Sequence, residues 1–231
     1  MRKLLLACLL IQIIAAAMNV QDNQKYSLAF AYDKEVGYTD CLKLLGMQQQ
    51  FIHIYKDYGT INEGFLQLWI NKMPFGAQLV FEPDVDPLGE NKYATPEVEV
   101  GQLVQYNPNI HGYEYIWINV QQRNKKNQWS TDVEQNCDLL KRFVSLLKSY
   151  SKNKVAVRSS KIDWVNIFGT SESCAEFTDL PLRYIHLDSN PNFNDWPQQS
   201  FGQWKQPYMK DYSLASICEI DTILTVFQSD I

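Results

Sequence analysis

Hydrophobic and polar residues alternate with two different periods along the chain, and these periods predict a series of strands and helices. Strands are expected where apolar residues form short runs or alternate with period two, and helices where they recur every three to four residues. The predicted strands are residues 26–32, 51–55, 77–81, 113–121, 154–159, 182–187, 208–212 and 217–226. The predicted helices are residues 40–49, 62–72, 162–168 and a segment from the cap at 130–134 to about 150, with another inside the proline-rich connection 82–109.

The order of these elements predicts an α/β fold. Strands that alternate with helices are typical of parallel βαβ units, and about eight strands favour a single (β/α) TIM-like barrel over an open sheet. No low-complexity linker interrupts the 231 residues, so one domain is expected. In such barrels the functional site lies at the carboxyl ends of the strands.

The predicted strand 113–121 ends in two neutral amides, Asn119 and Gln121. Because side chains alternate between the two faces of a strand, both amides are expected on one face, together with Trp117, Tyr115 and Tyr113. Asp and Glu in their places would resemble the paired carboxylates of a glycosidase. The two amides therefore mark a candidate site whose acids are missing.

The first 17 residues have the pattern of a secretory signal peptide. Arg2 and Lys3 precede an apolar run over residues 4–14, and three alanines at 15–17 provide a small-residue cleavage site. The apolar run is shorter than the roughly 20 residues of a membrane span. We therefore predict a mature domain of residues 18–231, secreted or in the lumen of the secretory or endolysosomal pathway, without a membrane anchor after cleavage.

Charge and cysteine content restrict the partners and cofactors. The formal net charge is −5, and without the basic residues of the signal 19 basic residues face 26 acidic ones, which argues against nucleic acid and anionic membranes as partners. Four cysteines remain after Cys8 is removed with the signal, and an even number in an oxidising compartment predicts two disulfides with three connectivities. Neither a metal centre nor another cofactor is expected. The four cysteines are Cys41, Cys137, Cys174 and Cys218.

A series of short motifs, in order along the chain, identifies a resemblance. They are IWINVQ at 116–121, IFG at 167–169, LPLRYIH at 180–186, NPNF at 190–193, WKQPYMKDY at 204–212 and CEID at 218–221. Together they resemble the lysozymes of glycoside hydrolase family 25, in the secreted eukaryotic branch of protists and nematodes. The resemblance covers nearly the whole mature chain and is strongest from residue 113 onward.

The resemblance implies a flattened barrel that cleaves the β-1,4 bond after N-acetylmuramic acid in peptidoglycan. The Asp-x-Glu motif of the family falls on Asn119 and Gln121, so both acids are substituted. The family's acid on the last strand is matched by Asp221. Its acid on the first strand falls near Ala31, with Asp33 as a stand-in. For the disulfides, adjacency around a barrel favours Cys137 with Cys174 and Cys41 with Cys218.

The loss of both acids predicts a loss of hydrolysis. A carboxamide neither releases nor accepts a proton near neutral pH, and general acid or base catalysis contributes roughly 10²- to 10⁴-fold. Candidate replacement acids are Asp33, Glu35, Glu82 and Asp188, whereas Glu114 is expected on the opposite strand face. The sequence therefore favours an inactive lysozyme-like protein kept for glycan binding, or as a structural or protein-interaction module. The alternative is an active muramidase that uses displaced acids.

Aromatic and charged side chains near the motifs are candidate ligand contacts. Tyr115, Trp117 and Tyr212 are expected to offer faces for stacking on sugars, as is Trp204, although core packing is the competing role for each. Arg183 stands where the family commonly has an aromatic residue, and it is expected to add a charge for another partner. Peptidoglycan or another glycan is the expected ligand, with a protein partner as an alternative.

Overall fold

The computed structural model describes residues 31–32, 50–53, 55–57, 60–61, 77–81, 83, 95–106, 110–122, 129–152, 154–217 and 220–227. In this part of the chain, no helix combines the length and the apolar character that crossing a membrane requires.

Eight strands form one sheet, and a separate hairpin lies between its second and third strands in sequence. The strands are β1 (Ala31–Tyr32), β2 (Gln50–His53), β3 (Tyr55–Asp57), β4 (Thr60–Ile61), β5 (Ala77–Phe81), β6 (Ile116–Val120), β7 (Val155–Ser159), β8 (Leu182–Ile185), β9 (Met209–Ile217) and β10 (Ile220–Phe227). The sheet has the order β1-β2-β5-β6-β7-β8-β9-β10, while β3 and β4 pair with each other. The helices are α1 (Pro96–Tyr106), α2 (Val133–Ser151), α3 (Lys161–Phe168) and the short α4 (Trp196–Gln199).

The sheet is parallel from β1 to β9 and antiparallel between β9 and β10. Cα atoms of β1 approach those of β10 within 8 Å, so the sheet curls. The predicted mixed α/β fold is therefore confirmed, but a wholly parallel set of strands is not. Two residues connect β9 to β10, which permits a hairpin but is too short for a parallel crossover. No described strand pairing joins β1 to β10, so a closed TIM-like barrel is not confirmed by the described residues.

The two faces of the curled sheet pack differently. The helix face carries the large apolar core, in which side chains of β5 to β8 meet residues of α1, α2 and α3. The inner face carries a smaller apolar cluster formed by Val80, Trp117, Ala156 and Met209. Successive residues of each strand thus serve two separate cores, as the period of two requires.

Helix α2 begins where the capping segment predicted. The side chain of Asp132 accepts hydrogen bonds from the backbone N–H groups of Glu134 and Gln135, at 3.1 and 3.2 Å. These bonds satisfy donors of the first turn that have no partner within the helix. The apolar stripe of α2 then packs on the helix face through Leu140, Phe143 and other residues.

The strand predicted at 113–121 is shorter than expected, and this changes the positions of two side chains. Residues 113 and 114 form a bend before β6, so the alternation does not extend to them. Tyr113 packs in the core of the helix face and not beside Trp117 on the inner face. Glu114 accepts a hydrogen bond of 3.2 Å from Gln78, whose side chain also accepts from the inner-face residue Trp117. The prediction for Tyr113 was therefore wrong, and Glu114, which is exposed, lies in the bend and not in the strand.

A disulfide between Cys137 and Cys174 links α2 to the segment after α3. This confirms one of the two predicted pairs. Cys41 and Cys218, the other predicted pair, lie outside the described residues.

Candidate functional site at the carboxyl ends of the strands

The two amides lie together on the inner face at the carboxyl end of β6. Asn119 is the fourth residue of β6, and Gln121 follows directly after the strand. The Nδ2 of Asn119 donates to Oε1 of Gln121 at 3.0 Å, so the predicted common face is confirmed. Asn119 is buried, with 4% of its surface exposed, whereas Gln121 is half-buried.

Arg158 on the neighbouring strand β7 holds both amides. Its backbone pairs with that of Asn119 in the parallel register. Its Nη1 donates to Oδ1 of Asn119 at 2.6 Å and to Oε1 of Gln121 at 3.1 Å. The guanidinium therefore occupies the space beside both positions at which the resemblance implies acids.

A carboxylate shared by two arginines continues this network across the inner face. Asp211 on β9 accepts from Nε of Arg158 at 2.9 Å and from Nε of Arg183 at 2.7 Å. Thr225 on β10 donates to the same carboxylate at 2.6 Å. We call this group the inner charged cluster, formed by Arg158, Arg183 and Asp211 with the polar residues Asn119, Gln121 and Thr225.

Two members of the inner cluster, Asp211 and Arg183, are charged near neutral pH. Burial alone would raise the pKa of Asp211, but the positive charges of Arg183 and Arg158 lower it below its usual value of 3.8. Burial lowers the pKa of Arg183 to about 10, against the opposing effect of Asp211. Asp211 is therefore an ionised carboxylate with no proton to donate. Its side chain is also 0% exposed.

A second charged cluster lies on the helix side of β8 and β9. The ammonium of Lys210 donates to Asp188 and to Asp195, each at 2.9 Å. Nδ1 of His186 lies 2.6 Å from Asp195, and the Tyr184 hydroxyl donates to Asp195 at 2.7 Å. These five residues form the outer charged cluster.

Three residues of the outer cluster have the spacing of metal ligands. The ligand atoms of His186, Asp188 and Asp195 lie within 4.8 Å of one another. However, the buried ammonium of Lys210 already bonds to both carboxylates and supplies the positive charge that a cation would bring. The donor set therefore suits an internal lysine and does not indicate a metal centre.

Several residues that were predicted to contact a ligand have other roles in the structure. Arg183 is fully buried in its ion pair with Asp211, so its expected role as a ligand contact is corrected to that of an internal ion-pair partner. Trp117 is also fully buried, in the inner apolar cluster, and therefore offers no stacking face in this structure. Trp204 packs in the core of the helix face, where it donates to the carbonyl of Leu180 at 2.8 Å.

Tyr115 lies away from the amides, at the amino-terminal ends of the strands. It directly precedes β6 and lines a cavity of about 520 Å³ with Trp204 and Tyr208. Its ring lies 5.8 Å from that of Tyr208. Tyr212 is half-buried in β9, and its role as a ligand contact remains a prediction.

Among the candidate replacement and family acids, only the side chain of Asp188 belongs to the described part of the structure. Asp188 belongs to the outer charged cluster, where its carboxylate bonds to Lys210. Asp221 pairs through its backbone with Ser216 at the start of β10, while its side chain is not described. Asp33, Glu35 and Glu82 lie outside the described residues.

Sequence reasoning did not identify Arg158 or Asp211 as site residues. A signal was present, because Arg158 is the single charge in the otherwise apolar or small strand VAVRS. At period two it shares a face with Ala156, so a buried arginine on the inner side could have been inferred. Its partners could not, because they belong to other strands.

Comparisons with known proteins concern the sequence and the fold of the chain. The family model "Lysozyme-like protein 1" matches residues 20–212. The Dictyostelium discoideum protein described as "Probable GH family 25 lysozyme 2" is 28% identical over 176 residues, which cover 74% of this chain and 76% of that protein. "Probable GH family 25 lysozyme 3" of the same organism is 33% identical over 105 residues, or 45% of this chain, but the match spans only 20% of that longer relative.

Solved structures share the fold at low sequence identity. A family GH25 lysozyme from Aspergillus fumigatus has a TM-score of 0.61 at 12% identity, over 90% of this chain and 96% of that one. The modular Cpl-1 endolysin has a TM-score of 0.59 at 16% identity, over 90% of this chain and 56% of that one. That structure is a glutamate-to-glutamine mutant in complex with a peptidoglycan analogue. The match to the family model covers most of the chain, and the chain belongs to the lysozyme-like proteins of glycoside hydrolase family 25.

Proposed function

We propose that this chain is a secreted lysozyme-like protein that binds a glycan at the carboxyl ends of its strands without hydrolysing it. The observation that carries the proposal is the bonding of Arg158 to the oxygens of Asn119 and Gln121, the two residues on which, by the resemblance, the family's acids fall. A bound guanidinium and two amides cannot protonate a glycosidic oxygen.

The remaining acid of the described site does not compensate for this loss. Among the described residues, Asp211 is the one carboxylate that hydrogen bonds connect to the amide pair through Arg158. It is buried, ionised and held by two guanidinium groups. A general acid needs a pKa near the working pH and access to the leaving group, and Asp211 has neither.

Glycan binding is supported by the shape of the altered site and by relatives. An amide is nearly isosteric with a carboxylate, so the two substitutions preserve the volume of the site. The peptidoglycan analogue bound to a glutamine mutant of the Cpl-1 endolysin supports the idea that such a substitution permits binding. Peptidoglycan is therefore our first candidate ligand, and a protein partner of the same cleft is the alternative.

We extend the proposal to the remaining sequence expectations. The curled sheet is proposed to close as a flattened barrel, and residues 1–17 are proposed to be removed on entry to the secretory pathway. A muramidase that uses Asp33, Glu35 or Asp221 is the competing function.

A cell-wall assay separates binding from hydrolysis. Purified protein is mixed with washed peptidoglycan, and both the turbidity and the protein that sediments with the walls are measured. We expect sedimentation without clearing, whereas a lysozyme preparation with confirmed cell-wall activity, used as the positive control, clears the suspension. Clearing by this protein that disappears in Asp221→Asn would contradict the proposal and support the displaced-acid muramidase. Heat-denatured protein controls for nonspecific sedimentation.

A further inference from the structure

We propose that Arg158 is a positioning residue that turns the former acid site into a hydrogen-bond donor site, which selects ligands with an acceptor oxygen and disfavours ligands with an ammonium group. The inference rests on the proposed glycan binding and specifies which chemical groups the site recognises.

The orientation of both amides follows from Arg158. A guanidinium has only N–H groups to offer, so the atoms that it contacts must be acceptors. The atom of Asn119 at 2.6 Å from Nη1 is therefore its oxygen, and its nitrogen points toward Gln121. Because oxygen and nitrogen of an amide are assigned from the hydrogen-bond network, this donor-only neighbour fixes the assignment.

Gln121 is fixed by two donors at once. Its oxygen accepts from Nη1 of Arg158 at 3.1 Å and from Nδ2 of Asn119 at 3.0 Å. An amide oxygen has two lone pairs, so these two bonds use its capacity to accept. Reversing the amide would place N–H groups against N–H groups and lose both bonds.

Arg158 is itself held in place from the other side. Its Nε lies 2.9 Å, and its Nη2 2.7 Å, from the carboxylate of Asp211. This fork leaves Nη1 aimed at the amides, and 4% of Arg158 is exposed. The arginine side chain is therefore held in place and orients the two amides, and a ligand does not reach it directly in this structure.

The group that remains for a ligand is the amide nitrogen of Gln121. Gln121 is half-buried, whereas Asn119 and Arg158 are buried, so Gln121 is the member of this trio that reaches solvent. Because its oxygen is occupied by these two bonds, the two N–H donors are the groups that the amide of Gln121 has left for a ligand. A glutamate at this position would present an acceptor, so the substitution reverses the hydrogen-bonding polarity of the site.

This polarity predicts the chemical class of the ligand group. A donor pairs with a carbonyl or carboxylate oxygen and gains nothing from an ammonium group, which carries only hydrogens. The positive charge of Arg158 behind the amide adds repulsion toward a cation. Acetamido groups and carboxylates of saccharides share the required oxygen, and the ammonium of a deacetylated amino sugar lacks it.

Binding of three trisaccharides to the full chain tests the inference. The probes are the trimer of N-acetylglucosamine with neutral carbonyls, the trimer of galacturonic acid with carboxylates, and the trimer of glucosamine with ammonium groups. Affinities are measured by titration calorimetry, and the side-chain amide signal of Gln121 is followed by NMR. We expect at least one acceptor-bearing trimer to bind about tenfold or more tightly than the glucosamine trimer, which corresponds to roughly 1.4 kcal/mol. The acceptor-bearing trimer that binds better shows whether a carbonyl or a carboxylate is preferred.

Three variants separate positioning from general charge effects. Gln121→Glu is expected to reverse the preference toward the glucosamine trimer by about tenfold, because the outward group becomes an acceptor. Gln122→Glu, with the same chemical change at the next and exposed position, is the matched control and should keep the wild-type preference. Arg158→Lys keeps the charge but cannot hold two oxygens and Asp211 together, so the ratio of affinities should fall toward one.

The outcomes distinguish this inference from the proposed function. Failure of both acceptor-bearing trimers to bind the wild-type protein more tightly than the glucosamine trimer, or an unchanged preference in folded Gln121→Glu, would overturn the inference while leaving glycan binding intact. Binding of none of the three trimers, together with no sedimentation with peptidoglycan, would overturn both. The wild-type probe series is a sufficient test if a variant fails to fold.

Discussion

The two charged clusters lie on opposite faces of the sheet and share strands β8 and β9, and their charges are arranged in opposite ways. On the inner face, one carboxylate, Asp211, is held by two guanidinium groups. On the helix side, one ammonium, Lys210, is held by two carboxylates. Adjacent residues of β9 supply the two centres, because Lys210 and Asp211 point to opposite faces.

The clusters also differ in their access to solvent. The side chain of Asp211 is 0% exposed, whereas Asp188 and Asp195 of the outer cluster are 19% and 18% exposed. The inner cluster therefore holds its acid buried and paired, while the more accessible acids of the outer cluster both bond to Lys210. The number of acids near a site is therefore a poor guide to catalysis, because their partners decide whether a proton is available.

Removing the central charge of the inner cluster should have the largest effect on stability. Asp211→Asn keeps the shape of the side chain but leaves two buried guanidinium groups without this carboxylate. We expect a loss of about 3–5 kcal/mol in the free energy of unfolding, measured by urea denaturation. Asp179→Asn is the matched control, because Asp179 forms an exposed pair with Lys148 at 3.4 Å, and its loss should cost less than about 1 kcal/mol. Similar losses in both variants would contradict the expected difference between a buried and an exposed ion pair.

Removing the central charge of the outer cluster should have a smaller effect. Lys210→Met preserves much of the side-chain volume but leaves Asp188 and Asp195 without their shared donor. Because these carboxylates keep some contact with water, we expect a loss of about 1.5–3 kcal/mol in the same measurement. Lys205→Met replaces an exposed lysine and should change stability by less than about 0.5 kcal/mol. A loss above that of Asp211→Asn would reverse the order of the two clusters.

The pH dependence of stability should show the smallest effect and test the outer cluster separately. Burial alone would raise the pKa values of Asp188 and Asp195, but hydrogen bonds from Lys210 and other donors lower both below the usual 3.8. A lowered pKa contributes stability above the unfolded pKa, and this contribution is lost as pH falls through the folded pKa. The stability gap between the wild-type protein and Lys210→Met should therefore be constant near pH 7 and shrink below about pH 4.

Urea midpoints measured between about pH 2.5 and 7 provide this test. A gap that stays constant over the whole range would show that Lys210 stabilises the fold through packing and not through the two carboxylates. Its ammonium also lies 5.7 Å from the centre of the Tyr184 ring, a contact that does not depend on carboxylate titration in this range.

Local patterns predicted much of the fold correctly. The strand at 77–81 and the start of α2 after Asp132 are observed as predicted, because the apolar run and the helix cap are local signals. Both strands of the β9–β10 hairpin were predicted, but their antiparallel pairing was not. Two separate apolar runs do not show how the strands pair. Tyr113 was predicted on the wrong face for a related reason. Side chains alternate between the two faces only within a strand, and Tyr113 lies before the strand begins.

Within the candidate site, the sequence alone determined that two amides end the strand and that they share a face. Residue identity fixes the chemistry of Asn119 and Gln121, and a spacing of two fixes their common side. Only the tertiary structure decided their environment. Arg158 is separated from Asn119 by 39 positions and from Asp211 by 53, and it meets both because the sheet order places β7 between β6 and the strands that follow. Such contacts depend on strand order and register, which local propensity does not specify.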